Sequence, residues 1–421
     1  MSNKTFALIL AGGDGSRLRP LSTPEKPKQF MPFYRQETLL QRTYRRLGSL
    51  FPPDRIYVVT HARYLDQVRH DLPSADPRFI LGESCKKNTA PCIALAARWI
   101  HEREPSAIFG VFSSDHHIGD EALFQQAVKR MLDCARHYQR LVILGVRPDV
   151  PSTQYGYIHC GRPFPKDGDG IYEVSQFTEK PEWSTACDFV RSGRTLWNCG
   201  VFAWKTQTLL NELHIHLNEL YKKVQSIPIA QGRPGPQELD RYFQDAPNLS
   251  IDYGLLQKTR NLIVVKGDFV WTDLGSFDAI RALVRQEPAC LNPELVKALS
   301  LCQAVPRRVE KPWGYELVWT ETSQYVGKML VIRARQTLSY QFHRVKEESI
   351  YVVEGELDFE FEEDGNRKTV ILKAGDTFHI PPKMKHRMGA RTDCRIFEVS
   401  TPHLDDVVRL EDSYGRAVEL L

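Results

Sequence analysis

The chain has 421 residues, of which 42% are hydrophobic and 26% charged, a composition typical of a globular protein with two domains. Its net charge of +4 is small for this length and no apolar run could span a bilayer, so nothing global indicates a nucleic-acid or membrane partner. The nine cysteines include no Cys-x-x-Cys pair, which predicts reduced thiols and a cytosolic protein.

The first predicted element is a buried strand, which we expect in place of a signal peptide because residues 6–10 form a continuous apolar run. The strand leads into a loop with Gly12, Gly13 and Gly15, where the backbone can turn tightly and present N–H groups to a phosphate. Four cations follow in the same loop: Arg17, Arg19, Lys26 and Lys28. Bare backbone donors beside clustered cations favour a triphosphate as the ligand.

This loop is not a P-loop, because no Lys-Ser/Thr follows its last glycine, and its glycine spacing does not fit the dinucleotide fingerprint. Residues 12–22 and 27–29 instead resemble GGxGxRLxPLS…PKQ, the signature of the sugar-1-phosphate nucleotidyltransferases. With Phe30 next in the chain, this version is most similar to mannose-1-phosphate guanylyltransferases. The resemblance implies that Gly12, Gly13 and Gly15 bind the nucleotide.

The chain then alternates between helices and strands. We predict helices over 37–48, 62–71, 89–103 and 120–137, and strands over 55–60, 79–83, 107–113 and 141–146. This alternation predicts a doubly wound, Rossmann-like α/β domain with a mostly parallel mixed sheet. Functional residues are then expected at the carboxyl ends of the strands.

The run at residues 86–91 precedes one of these helices, so its N–H groups could bind an anion or the edge of a base. It resembles the family's RNTAP run, with Lys87 where arginine is usual, a change that keeps the charge but loses bidentate geometry. The resemblance implies that Asn88 and Thr89 contact the nucleotide.

Two aspartates are the predicted Mg²⁺ ligands of this domain. Asp115 comes directly after an apolar strand, where a hard carboxylate suits Mg²⁺ beside a nucleotide. Asp273 lies in residues 271–276, which resemble the family's WxDxGS run, and the resemblance makes it the second metal carboxylate. His116 and His117 are adjacent on an extended segment and point apart, so we interpret them as incidental rather than as zinc ligands.

Four further runs resemble sugar-side motifs of the same family: YGYI at 155–158, FxEKP at 177–181, WNxGxF at 197–202 and SIDY at 250–253. The resemblance implies that Lys180 neutralises the sugar phosphate. It implies the sugar-binding residues Gly156, Glu179, Asn198 and Asp252. Each run is weak alone, but seven in family order leave little room for coincidence.

We predict a first domain over 1–285, a connector over 286–308 and a second domain over 309–421. The connector contains three prolines and a short helical patch. The second domain contains short β-rich runs punctuated by glycines, which predict a small all-β barrel. These runs are 316–319, 329–332, 349–353, 357–361, 369–372 and 395–399.

Two stretches of the second domain resemble the motifs of the cupins, and the implied metal ligands are Gln341, His343, Glu348 and His386. Gln341 and His343, two residues apart, share one face of a strand, as two inward-facing ligands must. Such a mixed N/O site suits Zn²⁺, Mn²⁺, Fe²⁺ or Ni²⁺. The alternative is a cupin barrel that has lost its metal, because glutamine is a poor ligand.

The whole chain is similar to the bifunctional family that joins a type II mannose-6-phosphate isomerase to a GDP-mannose pyrophosphorylase. In that family the cupin interconverts mannose 6-phosphate and fructose 6-phosphate. Where the relatives carry an HHHRAEHW-like run, this chain has Lys346 in place of the arginine and Ser349 in place of the following histidine. We therefore expect a bound divalent metal and leave isomerase activity open.

The resemblance implies that the first domain transfers GMP from GTP to mannose 1-phosphate, with Mg²⁺, and releases pyrophosphate. The catalytic residues it implies are Arg17, Lys28 and Lys180. Positioning and charge neutralisation would supply the acceleration without a covalent intermediate. The resemblance leaves a homodimer open.

Two other functions stay open at this point. The first domain could use another sugar or base, with a cupin that binds sugar without catalysis. Alternatively, the chain could be a sugar-nucleotide sensor without catalytic activity. The intact cations and both candidate metal aspartates favour an enzyme.

Overall fold

A computed structural model describes residues 4–19, 21–164, 170–230, 233–301, 306–403 and 406–416. The chain forms two compact units, Met1–Val296 and Lys297–Leu421. Eight of the nine cysteines are free thiols, and the ninth, Cys302, lies outside the described residues. Among the described helices, none has the length and apolar character needed to cross a membrane.

Thirteen strands belong to the described part of the first unit. They are β1 (Thr5–Ala11), β2 (Ile56–His61), β3 (Ile80–Glu83), β4 (Ile108–Ser113), β5 (His117–Ile118), β6 (Leu141–Val146), β7 (Tyr157–Pro163), β8 (Ile171–Thr178), β9 (Thr195–Lys205), β10 (Ile229–Ala230), β11 (Arg233–Pro234), β12 (Leu262–Gly267) and β13 (Trp271–Thr272). Nine of them form one sheet in the order β3-β2-β1-β4-β9-β6-β12-β8-β7. The others pair in twos, β10 with β11 and β5 with β13.

Seven strands of the large sheet run in one direction, and β8 and β9 run against their neighbours. The mostly parallel mixed sheet is therefore confirmed. Along β1, Phe6 and Leu8 pack into one hydrophobic cluster, whereas Ala7 and Ile9 pack into another. A strand covered on both faces needs apolar residues at every position, which explains the uninterrupted apolar run.

Ten α-helices are described, and all but the last lie within the first unit. They are α1 (Leu39–Gly48), α2 (Leu65–Asp71), α3 (Thr89–Arg103), α4 (Glu121–His137), α5 (Trp183–Ser192), α6 (Thr206–His216), α7 (Asn218–Gln225), α8 (Pro236–Asp245), α9 (Phe277–Gln286) and α10 (Pro293–Leu301). At the start of α1, the Thr38 hydroxyl accepts from the Gln41 N–H at 3.1 Å, and the Gln41 side chain accepts from the Thr38 N–H at 2.8 Å. This reciprocal capping box fixes where the helix begins.

The parallel strands β1, β3 and β4 end at the same edge of the sheet. Three loops consequently meet there: the glycine-rich loop after β1, the loop from Glu83 to α3, and the loop that contains Asp115. The topology thus places the predicted nucleotide and metal residues together at one edge, as expected for an α/β sheet.

Eleven strands are described in the second unit. They are β14 (Arg307–Lys311), β15 (Gly314–Glu321), β16 (Val326–Ile332), β17 (Tyr340–Phe342), β18 (Glu348–Glu354), β19 (Glu356–Glu363), β20 (Asn366–Lys373), β21 (Thr377–Ile380), β22 (His386–Ala390), β23 (Cys394–Ser400) and β24 (Val408–Glu411). They form a six-stranded sheet, β14-β15-β16-β23-β18-β21, and a five-stranded sheet, β20-β19-β22-β17-β24. Leu330, Ile350 and Phe359 are among the buried residues of the single hydrophobic core of these sheets.

The predicted connector is partly structured. Asn292 donates its backbone N–H to the Phe33 carbonyl at 2.9 Å and its side-chain amide to the Arg35 carbonyl at 2.7 Å. Residues 286–296 therefore belong to the first compact unit, and the predicted helical patch is α10. Residues 302–305 of the connector lie outside the described residues. The boundaries at 285 and 309 stay predictions.

Candidate active site and candidate metal centre

The glycine-rich loop is shaped by close contacts, and at Gly15 they leave no room for a side chain. Gly15 has φ +61°, and a Cβ there would lie 3.0 Å from both the backbone nitrogen and the Cβ of Lys28. The Gln29 amide donates to the carbonyls of Ala11, at 2.9 Å, and Gly13, at 2.8 Å. The loop is thus held in one shape by its own chain before any ligand binds.

Lys28 contacts both of the predicted metal-binding aspartates. Its side chain is 6% exposed, and its ammonium lies 2.8 Å from Asp115 Oδ2 while donating to the backbone carbonyl of Asp273. Burial opposes ionisation of Asp115, but Lys28 and His116 outweigh it and lower the pKa of that carboxyl. Asp115 is therefore an anion available to a cation.

Asp273 is oriented by two donors. Its Oδ1 accepts from the Tyr155 hydroxyl at 3.1 Å and from the Gly275 N–H at 2.8 Å. Its Oδ2 lies 3.8 Å from the guanidinium of Arg17. The Arg17 side chain is 61% exposed and also donates to Gln154 at 3.2 Å, so it lies at the open side of the site.

The two histidines after Asp115 have separate structural partners. His116 Nδ1 accepts from the indole N–H of Trp271 at 3.2 Å, whereas His117 is hydrogen-bonded to the Tyr34 hydroxyl. Burial lowers the pKa of His117 to about 4, so it is neutral at physiological pH. The two histidines thus contact different parts of the first unit.

A cavity of about 410 Å³ opens beside the glycine-rich loop. The predicted nucleotide residues Gly12, Gly13, Asn88 and Thr89 line it together with Asp115. Asn88 caps α3: its side-chain oxygen accepts from the Thr89 N–H at 2.9 Å. The first turn of a helix thus faces a cavity bounded by glycines, which suits an anionic nucleotide.

Glu83, which also lines this cavity, was not predicted from the sequence. It is 6% exposed, and its Oε1 accepts no hydrogen bond from the described residues. Burial raises its pKa to about 7 against the opposing effects of Cys92 and Lys86. Like Asp115, Glu83 is a carboxylate at the end of an apolar strand, and this pattern could have identified it. The strand β3 has only four residues, so the pattern is easily missed.

The predicted sugar residues form a second cluster. A Cβ at Gly156 would collide with Glu179 Oε2, and Glu179 is paired with Lys180. The Asn198 amide donates to Asp252 Oδ1 at 2.9 Å. Burial, and then the charge of Glu179, raise the pKa of Asp252 to about 7. Two carboxyls, an amide and an ammonium at one glycine provide both donors and acceptors for hydroxyl groups.

The two clusters share an aromatic wall. The Tyr155 ring lies 4.9 Å from that of Trp197, the neighbour of Asn198, and 5.0 Å from that of Trp271. Because the Tyr155 hydroxyl also holds Asp273, the wall joins the sugar cluster to the metal carboxylates. All fourteen residues predicted for the first domain therefore fall in one continuous region.

In the second unit, His343, Glu348 and His386 offer ligand atoms that lie within 4.8 Å of one another, and all three residues are buried. His343 Nε2 lies 2.9 Å from Glu348 Oε1. His343 Nδ1 donates to the Asp406 carbonyl at 2.6 Å and His386 Nδ1 donates to the Met384 carbonyl at 3.0 Å. Those bonds leave both Nε2 atoms as the free ligand atoms, as in protein metal sites.

Gln341 lies opposite His386 where β17 pairs with β22, and both residues line a cavity of about 280 Å³. The Gln341 side-chain oxygen accepts from the Ser339 hydroxyl at 2.7 Å. His343 Nε2 has no hydrogen-bond partner among the described residues, although it is buried. A buried, unpartnered imidazole nitrogen beside a carboxylate fits a divalent metal.

Two protein-family models match the chain. The model described as nucleotidyl transferase matches residues 6–288, and the model described as cupin domain matches residues 330–400. This chain is a member of the nucleotidyl transferase family. The predicted fold class, a Rossmann-like nucleotidyltransferase domain followed by an all-β cupin barrel, is confirmed.

Three proteins that are similar to this chain have names that refer to mannose phosphates. A mannose-1-phosphate guanylyltransferase of Escherichia coli (strain K12) is 28% identical over 98% of this chain and 99% of its own. A solved structure from Thermus thermophilus, described as a mannose-1-phosphate geranyltransferase, is 33% identical with a TM-score of 0.58, over 67% of this chain and 78% of its own. A mannose-6-phosphate isomerase from Helicobacter pylori is 26% identical with a TM-score of 0.52, over 64% and 99%.

The last of these matches is not confined to the second unit. Residues 297–421 are less than a third of the chain, so a match over 64% must include a large part of the nucleotidyl transferase unit. The isomerase name therefore does not by itself locate an isomerase in the cupin. Support for an isomerase in the cupin therefore comes from the residues of the cupin itself.

Proposed function

We propose that the first unit transfers GMP from GTP to mannose 1-phosphate, giving GDP-mannose and pyrophosphate. The observation that carries this proposal is the contact of Lys28 with both Asp115 and the backbone of Asp273, between a nucleotide-sized cavity and a cluster suited to sugar hydroxyls. The full-length similarity to a guanylyltransferase supports the choice of substrates.

The reaction requires positioning and charge neutralisation. A phosphate oxygen of the sugar 1-phosphate attacks the α-phosphorus of GTP in line, a new P–O bond forms, and the P–O bond to pyrophosphate breaks. Lys28 and Arg17 neutralise charge on the triphosphate and on the departing pyrophosphate, while Lys180 offsets repulsion by the incoming sugar phosphate. No side-chain nucleophile is needed, because binding both substrates in line supplies much of the acceleration.

Asp115 and Asp273 would hold Mg²⁺. Both are carboxylates, the donors that Mg²⁺ prefers, and each keeps an oxygen that is not engaged by a backbone N–H. Bound Mg²⁺ supplies charge stabilisation at the phosphate oxygens. Tyr155 and Gly275 fix the Asp273 carboxylate for this role, and Lys28 fixes Asp115.

Glu83 would select the base. The Watson–Crick edge of guanine has two adjacent donors, N1–H and N2–H, whereas adenine has one donor beside an acceptor. A carboxylate accepts two hydrogen bonds, and Glu83 is buried in the nucleotide cavity with an oxygen that the described residues leave unpaired. Burial makes an unmatched base costly, which is how a polar site discriminates strongly.

The experiment is synthesis of the nucleotide sugar by the purified full-length chain from mannose 1-phosphate, with GTP, ITP, ATP, UTP or dTTP and Mg²⁺. GDP-mannose should form fastest with GTP, and ITP, which lacks the N2 amine, should be a poorer substrate. Glu83→Gln should reduce the preference for GTP over ATP. Failure to form any nucleotide sugar would contradict the proposal.

As a second function, we propose that the cupin binds a divalent transition metal, Zn²⁺ among the candidates, and interconverts mannose 6-phosphate and fructose 6-phosphate. The donor set of His343, Glu348, His386 and Gln341 and the adjoining cavity support this proposal. When bound there, such a metal would supply Lewis-acid stabilisation of negative charge on the sugar oxygens. Metal analysis combined with an isomerase assay tests it, and bound metal without turnover would leave a sugar-phosphate-binding domain.

A further inference from the structure

A row of alternating charges crosses the inner face of the six-stranded sheet in the second unit. It takes one side chain from each of five neighbouring strands, plus Lys346 from the loop before β18, and all six line the 280 Å³ cavity. The row is Lys311 on β14, Glu316 on β15, Lys328 on β16, Glu398 on β23, Lys346, and Glu348 on β18.

The contacts are shortest next to the candidate metal centre. Lys311 lies 3.4 Å from Glu316 and Lys328 lies 3.9 Å from the other oxygen of Glu316. Lys328 and Lys346 share one oxygen of Glu398, at 3.5 and 2.9 Å. The exposed fraction of the side chains falls along the row toward the candidate metal centre, from 30% for Lys311 to 3% for Glu348.

The row ends on a metal ligand. The Lys346 ammonium contacts Glu348 Oε1, which is the same oxygen that lies 2.9 Å from His343 Nε2. A metal bound to His343 and Glu348 would therefore lie close to the Lys346 ammonium, which already contacts the Glu348 carboxylate. Because these groups are buried, solvent cannot screen one charge from the other.

We propose that Lys346 competes with the metal for Glu348 and that Glu398, which holds the same ammonium, sets the strength of this competition. Lys346 is thus a positioning residue of the metal centre. When Glu398 draws the ammonium toward itself, Glu348 is freer to bind metal. This inference rests on the proposed metal site and goes beyond it, since it assigns the control of metal affinity to residues that are not ligands.

The test is a calorimetric titration of Zn²⁺ into the metal-stripped full-length chain. The Kd of each variant is compared for the Zn²⁺-binding event that is lost in His343→Ala. Lys346→Met should bind Zn²⁺ about tenfold more tightly than the wild type and Glu398→Gln about tenfold more weakly, since residues of one charged network are energetically coupled. Lys311→Met, at the exposed end of the row, is the matched control and should change the Kd less than about twofold.

A double variant separates competition from a general field effect. If Glu398 acts through the ammonium, Glu398→Gln should lose its effect in the Lys346→Met background. An equal weakening in both backgrounds would show that the charge of Glu398 acts directly on the metal, and would overturn the inference. Lys346→Gln, which loses the charge but keeps hydrogen-bond donors, is the second variant if Lys346→Met unfolds.

The failure of the metal site itself would look different. If neither the wild type nor Lys346→Met shows an isotherm that depends on His343, both the metal site and this inference are wrong. If Zn²⁺ binds with the same Kd in the wild type, Lys346→Met and Glu398→Gln, the metal site stands and the inference alone is wrong.

Discussion

Lys28 in the first unit and Lys346 in the second are both buried, and each contacts a carboxylate that we assign as a metal ligand. The second contact of Lys28 is a neutral backbone carbonyl, whereas that of Lys346 is another carboxylate, Glu398. Lys28 therefore has one carboxylate partner, and Lys346 has two.

The difference indicates what each lysine does. An ammonium with only one carboxylate partner is offset less than one with two, so Lys28 is the better suited of the two to bind an anionic substrate. An ammonium between two carboxylates has no charge to spare for an anion, so Lys346 is suited to position a ligand. The role of a lysine that contacts a metal carboxylate is thus indicated by the other group that its ammonium contacts.

The largest expected effect tests the metal carboxylates of the open site. Asp115→Asn and Asp273→Asn should each lower the rate of GDP-mannose formation about 1,000-fold, because a misplaced metal removes several kcal/mol of transition-state stabilisation. Steady-state rates with GTP and mannose 1-phosphate measure this effect. The melting temperature is the control, since Asp115 is 31% and Asp273 17% exposed and neither variant should unfold. Near-normal turnover in either would show that another carboxylate holds the metal.

The next effect tests the comparison of the two lysines directly. Lys28→Met should lower guanylyl transfer at least about 100-fold, because it removes a charge aimed at the transition state. Lys346→Met should leave guanylyl transfer unchanged, since it lies in the other unit.

Lys26→Met is a matched control for the first variant, because Lys26 is an exposed cation of the same loop. Its rate should remain within a few-fold of the wild-type rate. If Lys26→Met and Lys28→Met lose activity equally, the loop attracts nucleotide by its total charge and Lys28 has no special position.

The sequence predicted the longer elements up to residue 146 well, because each has a strong helical period or a continuous apolar run. Helix α3 begins and ends at the predicted residues, 89 and 103, and β6 covers the predicted 141–146. No predicted strand corresponds to β9, which has 11 residues, or to β12, which reads Leu-Ile-Val-Val-Lys-Gly, although both are largely buried. The polar β14, Arg-Arg-Val-Glu-Lys, and the three-residue β17 were not predicted either. Pairing with neighbouring strands, rather than local pattern, makes such segments extended.

The candidate site was predictable where a motif carries it and not where only burial does. Asp273 and Glu179 stand in ordered motifs and Asp115 directly follows an apolar strand, and the structure brings the three to one region. The burial of Glu83, and the second carboxylate beside Lys346, depend on residues far apart in sequence. No local pattern contains that information.

A smaller effect tests the electrostatics of Glu83. Its pKa is raised from 4.5 to about 7, so between these pH values the folded protein keeps a proton that the unfolded chain has released. This group therefore makes the wild type less stable as pH rises from about 4.5 to 7, by at most about 3 kcal/mol. Lys86, from the loop after β3, and Cys92, from α3, are the groups that oppose the shift.

Glu83→Gln has no titrating group at this position and is compared with the wild type. Urea unfolding of both proteins at pH 4.5, 6 and 7.5 measures their free energies of unfolding. The variant should gain stability relative to the wild type as pH rises to 7, and the difference should then stay constant. A difference that does not change with pH would show that Glu83 ionises at its ordinary pKa, and its assignment as a buried acceptor for guanine would lose its support.

The smallest effect concerns the weakest ligand of the second site. Gln341 offers a neutral amide oxygen, which already accepts a hydrogen bond from Ser339, whereas His343 and His386 offer imidazole nitrogens. Gln341→His should therefore tighten Zn²⁺ binding about tenfold, because imidazole is the better ligand for this metal. Calorimetry measures the Kd, with Ser339→Ala as the control for loss of the hydrogen bond alone. An unchanged Kd in Gln341→His would mean that this position does not reach the metal, and that the centre is made of His343, Glu348 and His386 only.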